Sequence, residues 1–420
     1  MKHYTILLLA VSVLSGCSLM QKEKVKSYKE WHQARSRIIC GIGEEHLKAG
    51  SLDKAQSCAM ESLNLNSDYL PARILLAKTL LGNGRYEEAD EQLQHAETLR
   101  LSLKKDSSSA SPGGAEIAYL RGEALERTGK YAEALQCYQK ARALNPSNDM
   151  YVMASAEVLV SMGKPRGALE LLEVRLQRIG AGGEPSMLVL AGEIAMLAGD
   201  YTQAADFFQQ RLDMTQDHHA DKSGKSVRES LAKAHFFAGN YRQAIESLKQ
   251  ITNNFESSPC WVQIMMGDSY MALNRPRDAK AAYESAIKIE PDDWPVWLSL
   301  AKAAVADGDT RRGTTAGLRA IELVGNDRTT SGGNKDRLEI CIVTAYAMLA
   351  ENRPEDAMKV LAGSAKENPN DPMLWCMLGR CYSAQGLGER AAACYMAALR
   401  ADPDNRLAKN LLTCLDRNRD

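Results

Sequence analysis

The side chains whose types and spacing could do chemistry are few. His218 and His219 adjoin in the run Asp217-His218-His219-Ala220-Asp221, which could hold a divalent cation adventitiously but reads first as a solvated loop. Ten cysteines are present, yet no two fall at the C-x-x-C spacing of a zinc knuckle or a haem attachment site. The chain lacks the glycine-rich phosphate cradle G-x-x-x-x-G-K-[ST], a strand-borne G-x-G-x-x-G, the zinc helix H-E-x-x-H and the nucleophile elbow G-x-S-x-G. These residues imply no catalytic site, no metal centre and no cofactor. The thiol of Cys17 stands apart, because the residues before it form an address.

Met1–Cys17 opens with Lys2, continues with an apolar run from Ile6 to Leu14 and ends Leu14-Ser15-Gly16-Cys17. The run is too short to span a bilayer and has the pattern of a cleaved export signal. Its ending resembles the bacterial lipoprotein signal, and that resemblance implies that Cys17 is the acylated first residue of the mature chain. Ser18 after the cysteine implies forwarding to the periplasmic face of an outer membrane where the host has one. Residues 18–35 form a basic linker or an N-terminal helix. From Gln21 to Arg37, Lys22, Lys24, Lys26, Lys29, Arg35 and Arg37 stand against Glu23 and Glu30, a solvated charge run that could also rest on anionic headgroups. Without Cys17 nine cysteines remain, an odd number that leaves at least one free or linked to another molecule. Cys58, Cys137 and Cys394 recur at one sequence spacing and read as small packing residues, while Cys376, Cys381 and Cys394 are the nearest disulfide candidates.

The rest of the chain is organised around the stretch Pro372–Asn405. Counting Pro372 as position 1, it carries Trp375, Leu378, Gly379, Tyr382, Gly386, Ala391, Tyr395, Ala398 and Pro403 at positions 4, 7, 8, 11, 15, 20, 24, 27 and 32. Trp375, Leu378 and Tyr382 line one face of a first helix, and Ala391, Tyr395 and Ala398 line one face of a second. Gly379 and Ala391 allow the two backbones to approach, and Gly386 permits the turn between them. This spacing resembles the 34-residue tetratricopeptide repeat.

The register continues upstream, with units beginning near Ser36, Leu70, Ala115, Asp149, Pro185, Lys225, Cys260, Trp294 and Leu338. Position 20 is Ala in nine units and Gly313 in the eighth; position 15 is Gly in eight units and Asn274 or Asn352 in two. Pro165, Pro276 and Pro354 follow that turn, at a helix start where a missing N–H costs nothing. The resemblance implies an all-α fold, a right-handed α-solenoid of about ten helix-turn-helix units closed by a capping helix. The expected organisation is units 1–2 over 36–103, an insertion at 104–114, units 3–8 over 115–324, an insertion at 325–337, units 9–10 over 338–405 and a cap over 406–420. Unit 8 departs most, with Gly313, Gly317 and Gly325 where Ala, an aromatic and Pro are usual, and its second helix is in doubt. Ordering one unit costs roughly 50 kcal/mol at about 1.5 kcal/mol per residue, so stacking must supply the burial.

Charge is balanced, with 52 Lys and Arg against 53 Asp and Glu, which sets up no global field for nucleic acid. Function therefore falls to the surface that stacking creates. In tetratricopeptide repeats the first helices line a concave face through positions 2, 5, 9, 12 and 13, where a peptide lies. Carried onto this chain, those positions include Met150, Met153, Glu157, Val189, Glu193, Met196, Phe236, Phe237, Trp261, Ile264, Asp268 and Met271, with Val160 and Leu197 beside them. Methionines and aromatics suit apolar anchors, and Glu123, Glu157, Glu193 and Asp268 at position 9 suit a basic partner segment. No unit has Asn at position 9, so the carboxylate clamp of chaperone-binding repeats is not expected. The expected function is a non-catalytic, lipid-anchored scaffold in the bacterial envelope that serves assembly of a secretion, pilus or polysaccharide-export machine. The alternative is a regulatory or substrate-presenting subunit for a cell-wall enzyme. The expected partners are other envelope proteins or peptides, and the membrane through the anchor.

Overall fold

The computed structural model describes residues 26–103, 113–180, 184–214, 222–254, 259–326 and 333–417, and among them it is all-α. Cys17, the His218–His219 pair, most of the expected insertion at 104–114 and residues 327–332 of the one at 325–337 lie outside the described residues.

The chain divides into two compact units, Met1–Gly199 and Asp200–Asp420. The first holds α1 (26–48), α2 (Leu52–Leu65), α3 (Leu70–Gly82), α4 (Tyr86–Leu103), α5 (Gly114–Arg127), α6 (Tyr131–Leu144), α7 (Asp149–Ser161), α8 (Pro165–Ile179) and α9 (Pro185–Ala198). The second holds α10 (Tyr201–Asp213), α11 (Lys222–Phe237), α12 (Tyr241–Asn254), α13 (Cys260–Ala272), α14 (Pro276–Ile289), α15 (Trp294–Ala306), α16 (Thr310–Asn326), α17 (Gly333–Ala350), α18 (Pro354–Glu367), α19 (Pro372–Ala384), α20 (Gly388–Ala401) and α21 (Arg406–Arg417). Within each unit every helix packs on the next in sequence, so the helices form an α-solenoid of helix-turn-helix repeats.

Four residue relations build the repeats, the first two running through the array and the others recurring in some of its members. The position-15 residues, Gly or Asn, all have φ between 55° and 82°, in the left-handed region where a helix ends and the chain reverses. The nine position-20 alanines are fully buried, as a close helix crossing demands. Position-4 tryptophans tie one repeat to the last: Trp297 donates its indole N–H to the Pro291 carbonyl at 2.8 Å, and Trp375 does the same to Pro369 at 2.7 Å. The fourth relation is steric. A Cβ added at Gly122, Gly267 or Gly379 would lie 2.4–2.5 Å from the ring of Tyr138, Tyr283 or Tyr395, the position-24 residue of the same repeat. Where position 24 is Leu93, Leu172, Leu248 or Leu361, position 8 is Ala77, Ala156, Ala232 or Ala345. A smaller knob leaves room for the methyl.

The second helix of unit 8 forms, as α16, over 17 residues. Its glycines are spaces filled by neighbours: a Cβ at Gly317 would meet Thr344 Oγ1 of α17 at 2.1 Å, and one at Gly313 would meet Val305 at 2.9 Å. Residues 325–337 are not all loop either, since α16 runs to Asn326 and α17 starts at Gly333. At the other insertion the chain returns through Gly113, with φ of 102°, and Gly114, whose missing side chain leaves room for the buried Arg100 guanidinium. Glu97 and Lys140 surround that group, and Glu97 accepts hydrogen bonds from both Arg100 and Lys140.

First helices of neighbouring repeats also touch directly, α3 with α5 and α7 with α9 in one unit, α15 with α17 and α17 with α19 in the other. Successive second helices do not approach to this extent. The first helices therefore line the tighter, inner side of each unit.

Candidate protein-binding face

In several repeats position 9 of the first helix reaches position 2 of the next repeat along this inner side. Three repeats close that gap internally. Lys78 pairs with Glu116 at 2.5 Å, Lys302 pairs with Glu339 at 2.7 Å, and the Lys233 ammonium sits 4.7 Å from the Trp261 ring centroid. Where position 9 is Glu123 or Glu157, position 2 of the following repeat is Met150 or Ser186, and neither can neutralise a carboxylate.

Glu123, Glu157 and Glu193 accordingly have no ion-pair partner among the described residues. Burial pushes the Glu123 carboxyl above the usual range; Arg127 opposes the shift and Glu126 adds to it. Glu157 is reached by solvent but has protein around it, and that desolvation raises its carboxyl, helped by the negative field of Glu126 and Glu193. The four carboxylates thus act on one another along α5, α7 and α9. Around them Met150 is 52% exposed, and Met153, Val189 and Met196 are half-buried. Ser186 Oγ lies 3.9 Å from Met153 Sδ.

The remaining residues expected on this face belong to the second compact unit and form a different arrangement. Phe237, half exposed, packs 5.5 Å from Tyr201 and 5.5 Å from Phe236, which in turn meets Tyr241 at 5.8 Å. Tyr201 and Tyr241 begin second helices, so this aromatic cluster lies at the helix-turn edge. Trp261 is occupied by Lys233, while Ile264 and Met271 pack against the core of α13–α15. Asp268 accepts a 2.6 Å hydrogen bond from the Tyr283 hydroxyl, and burial raises its carboxyl against the lowering effect of that bond. Its charge is engaged inside the repeat. None of the twelve expected residues is buried, and those of the first unit combine accessible apolar surface with uncompensated charge.

Two features of the face were not anticipated from the residues. Glu126, at position 12, joins the acidic set while accepting a 2.8 Å bond from Tyr138. A hollow of about 230 Å³ opens further toward the N-terminus, floored by Leu47, Leu70, Pro71, Ile74 and Leu75 and rimmed by Glu44 and the Lys78–Glu116 pair. Most of these occupy the same register positions in units 1–3, so the rule applied to the central repeats locates the hollow as well.

Tetratricopeptide repeat sequence profiles match residues 70–95, 115–148, 264–326 and 344–414. The chain is a tetratricopeptide repeat protein. This repeat class mediates protein–protein interaction, and no group of three or more His, Cys, Asp or Glu that could hold a metal occurs among the described residues. Among curated proteins, the DnaJ homolog subfamily C member 3 of Gallus gallus is 23% identical over 345 residues, 81% of this chain and 59% of that protein. The CTR9 homolog of Arabidopsis thaliana is 22% identical over 225 residues, 53% of this chain and 19% of that protein. The repeat chain thus spans less than two thirds of either relative. Among solved structures, the C-terminal part of a TPR repeat-containing protein from Cytophaga hutchinsonii aligns with 70% of this chain and 99% of its own at 17% identity, with a TM-score of 0.45. Yeast Tom70 aligns with 96% of this chain and 94% of its own at 13% identity, with a TM-score of 0.36.

Proposed function

We propose that the protein is a non-catalytic scaffold whose inner face in the first unit holds a partner segment with basic residues and apolar anchors. One observation supports this above the others: Glu123, Glu157 and Glu193 lie on that face without cations, whereas Lys78, Lys233 and Lys302 at the equivalent position are engaged by Glu116, Trp261 and Glu339 of the following repeat. Holding the partly buried Glu123 and its acidic neighbours together without a cation is unfavourable in the free protein, and a partner's Lys or Arg relieves it. Methionines adapt to apolar side chains of different shape. We further propose a bacterial envelope location with lipid on Cys17, supported by the Leu14-Ser15-Gly16-Cys17 ending, and a role in assembling a multiprotein export or surface machine. The test of the binding reading is a titration with a synthetic amphipathic helix carrying lysines beside leucines. Parent protein should bind it with salt-dependent affinity, and Glu123→Gln/Glu157→Gln/Glu193→Gln should lose at least tenfold. Equal affinity for both would remove the acidic face from the proposal. Mass spectrometry of the mature N-terminus tests the anchor, where an unmodified Cys17 ends that part.

A further inference from the structure

The hollow at the N-terminal end of the inner face sits where three first helices meet. Leu47 of α1 and Leu70, Ile74 and Leu75 of α3 form its floor, and the start of α5 closes the third side with Gly113 and Glu116. Ile74 and Leu75 are buried, so the floor is apolar. A Cβ at Gly113 would lie 3.6 Å from Ile74 Cδ1, which makes the missing side chain part of the space. At about 230 Å³ the hollow exceeds a cavity of about 150 Å³ that takes up a benzene ring, so it has room for one branched or aromatic side chain.

The charges at its edge select what brings that side chain. Glu44, on the rim, holds position 9 of the first repeat, and position 2 of the next repeat is Pro71, which offers it no cation. Glu44 is exposed and has no ion-pair partner among the described residues; Lys48, one turn on, pairs with Glu45 instead. On the far rim Glu116 is neutralised by Lys78. Glu123 stands seven residues further along α5, on the same face and about 10 Å away at 1.5 Å per residue, again without an ion pair. The apolar space is thus flanked by two carboxylates that lack cations. Residues 104–112, which lead into Gly113, read KKDSSSASP and hold no apolar side chain beyond Ala110 and Pro112, so they do not supply the anchor. A basic polypeptide with one large apolar residue satisfies both the floor and the rim.

We infer that the hollow takes one large apolar side chain of a partner polypeptide whose cations flank it, one meeting Glu44 and another, about 10 Å from the anchor, meeting Glu123. This rests on the inner face as a site for a basic segment with apolar anchors, and it sets that segment's register. The anchor enters among α1, α3 and α5, and the basic residues beyond it run on toward Glu157 and Glu193. In a helical partner the spacing from anchor to second cation is about seven residues, and in an extended one about three.

Synthetic helices titrated onto the full chain test it, each with one leucine anchor and a lysine four, seven or eleven residues away on the same face. The seven-residue spacing should bind tightest, by about threefold. Replacing its leucine by alanine should cost roughly tenfold, and Glu44→Gln about threefold. Leu47→Trp fills the hollow, so the leucine and alanine probes should bind that variant within about twofold of each other while salt dependence is retained. The probe comparisons use the parent alone and decide the matter even where circular dichroism shows Leu47→Trp unfolded. Salt-dependent binding that is indifferent to the leucine or to the lysine spacing overturns the inference and leaves the acidic face standing. Anchor dependence unchanged in Glu123→Gln/Glu157→Gln/Glu193→Gln removes the acidic face, and with it the register. Self-association of the parent that Leu47→Trp abolishes assigns the hollow to a second copy and also overturns it.

Discussion

Gly379→Ala should destabilise the last repeat even though it replaces a helix glycine, a change that alone would add about 1 kcal/mol of stability. The added Cβ would lie 2.4, 2.7 and 3.0 Å from three ring carbons of Tyr395, well inside any real contact distance. Tyr395 is 2% exposed and cannot swing into solvent, so relief requires α19 and α20 to part. Overpacking of this kind costs about 1 to 3 kcal/mol; full burial of the ring puts the site near the upper end, for a net loss of about 2 kcal/mol. Tyr395→Leu alone leaves a cavity and costs a further ~2 kcal/mol. The double variant reproduces the Ala-and-Leu combination of four other repeats and should recover most of both losses, a coupling of about 3 kcal/mol. Urea melts with hydrogen exchange read at α19 and α20 separate local from global opening. Additivity within about 0.5 kcal/mol would refute the idea that position 8 is sized to position 24.

Asn274 and Asn352 hold φ of 55° and 57°, so Asn274→Gly and Asn352→Gly should each gain up to about 1 kcal/mol in thermal melts, where Gly84→Ala loses at least as much. Thiol labelling of the native protein should be fastest at Cys414, the one exposed cysteine among the described residues. Cys376 and Cys381 are buried and pushed up to about 11, so they react only on unfolding. The pH dependence of the acidic face has a definite sign. Glu123 and Glu157 have raised carboxyls, so the folded state binds their protons more tightly than the unfolded chain, and their contribution to stability worsens as pH rises through and above the ordinary glutamate range. Glu123→Gln/Glu157→Gln should therefore be at least as stable as the parent at neutral pH, the difference closing on acidification. Affinity for a basic helix should move the opposite way, falling as pH drops through those raised values.

Much of the repeat register is legible in the sequence because it rests on one-residue requirements. A left-handed turn accepts Gly or Asn, and a helix crossing accepts Ala, so positions 15 and 20 show themselves without any partner. What depends on two residues at once is less visible. Unit 8 reads as broken from Gly313 and Gly317 alone, and becomes a helix once Thr344 and Val305 are seen filling those spaces. The inner face shows the same limit. Position 9 in the sequence gives Asp268 and Glu157 equal standing, but the Tyr283 hydroxyl engages one and no cation meets the other. Phe236 and Phe237 have the hydrophobicity of groove anchors, yet tyrosines opening second helices draw them to the turn edge. The hollow beneath Lys78 and Glu116 needs three helices in place before it exists.

The account rests on the inner face of α5, α7 and α9 as the working surface. A photoreactive residue placed at Met153, activated in intact cells, tests it most directly, with the same probe at exposed Met60 on α2 as the comparison. A discrete crosslinked protein at Met153, lost in Glu123→Gln/Glu157→Gln/Glu193→Gln and absent at Met60, is the predicted result. The same product from both positions, or one from Met153 that survives removal of the three carboxylates, would contradict it.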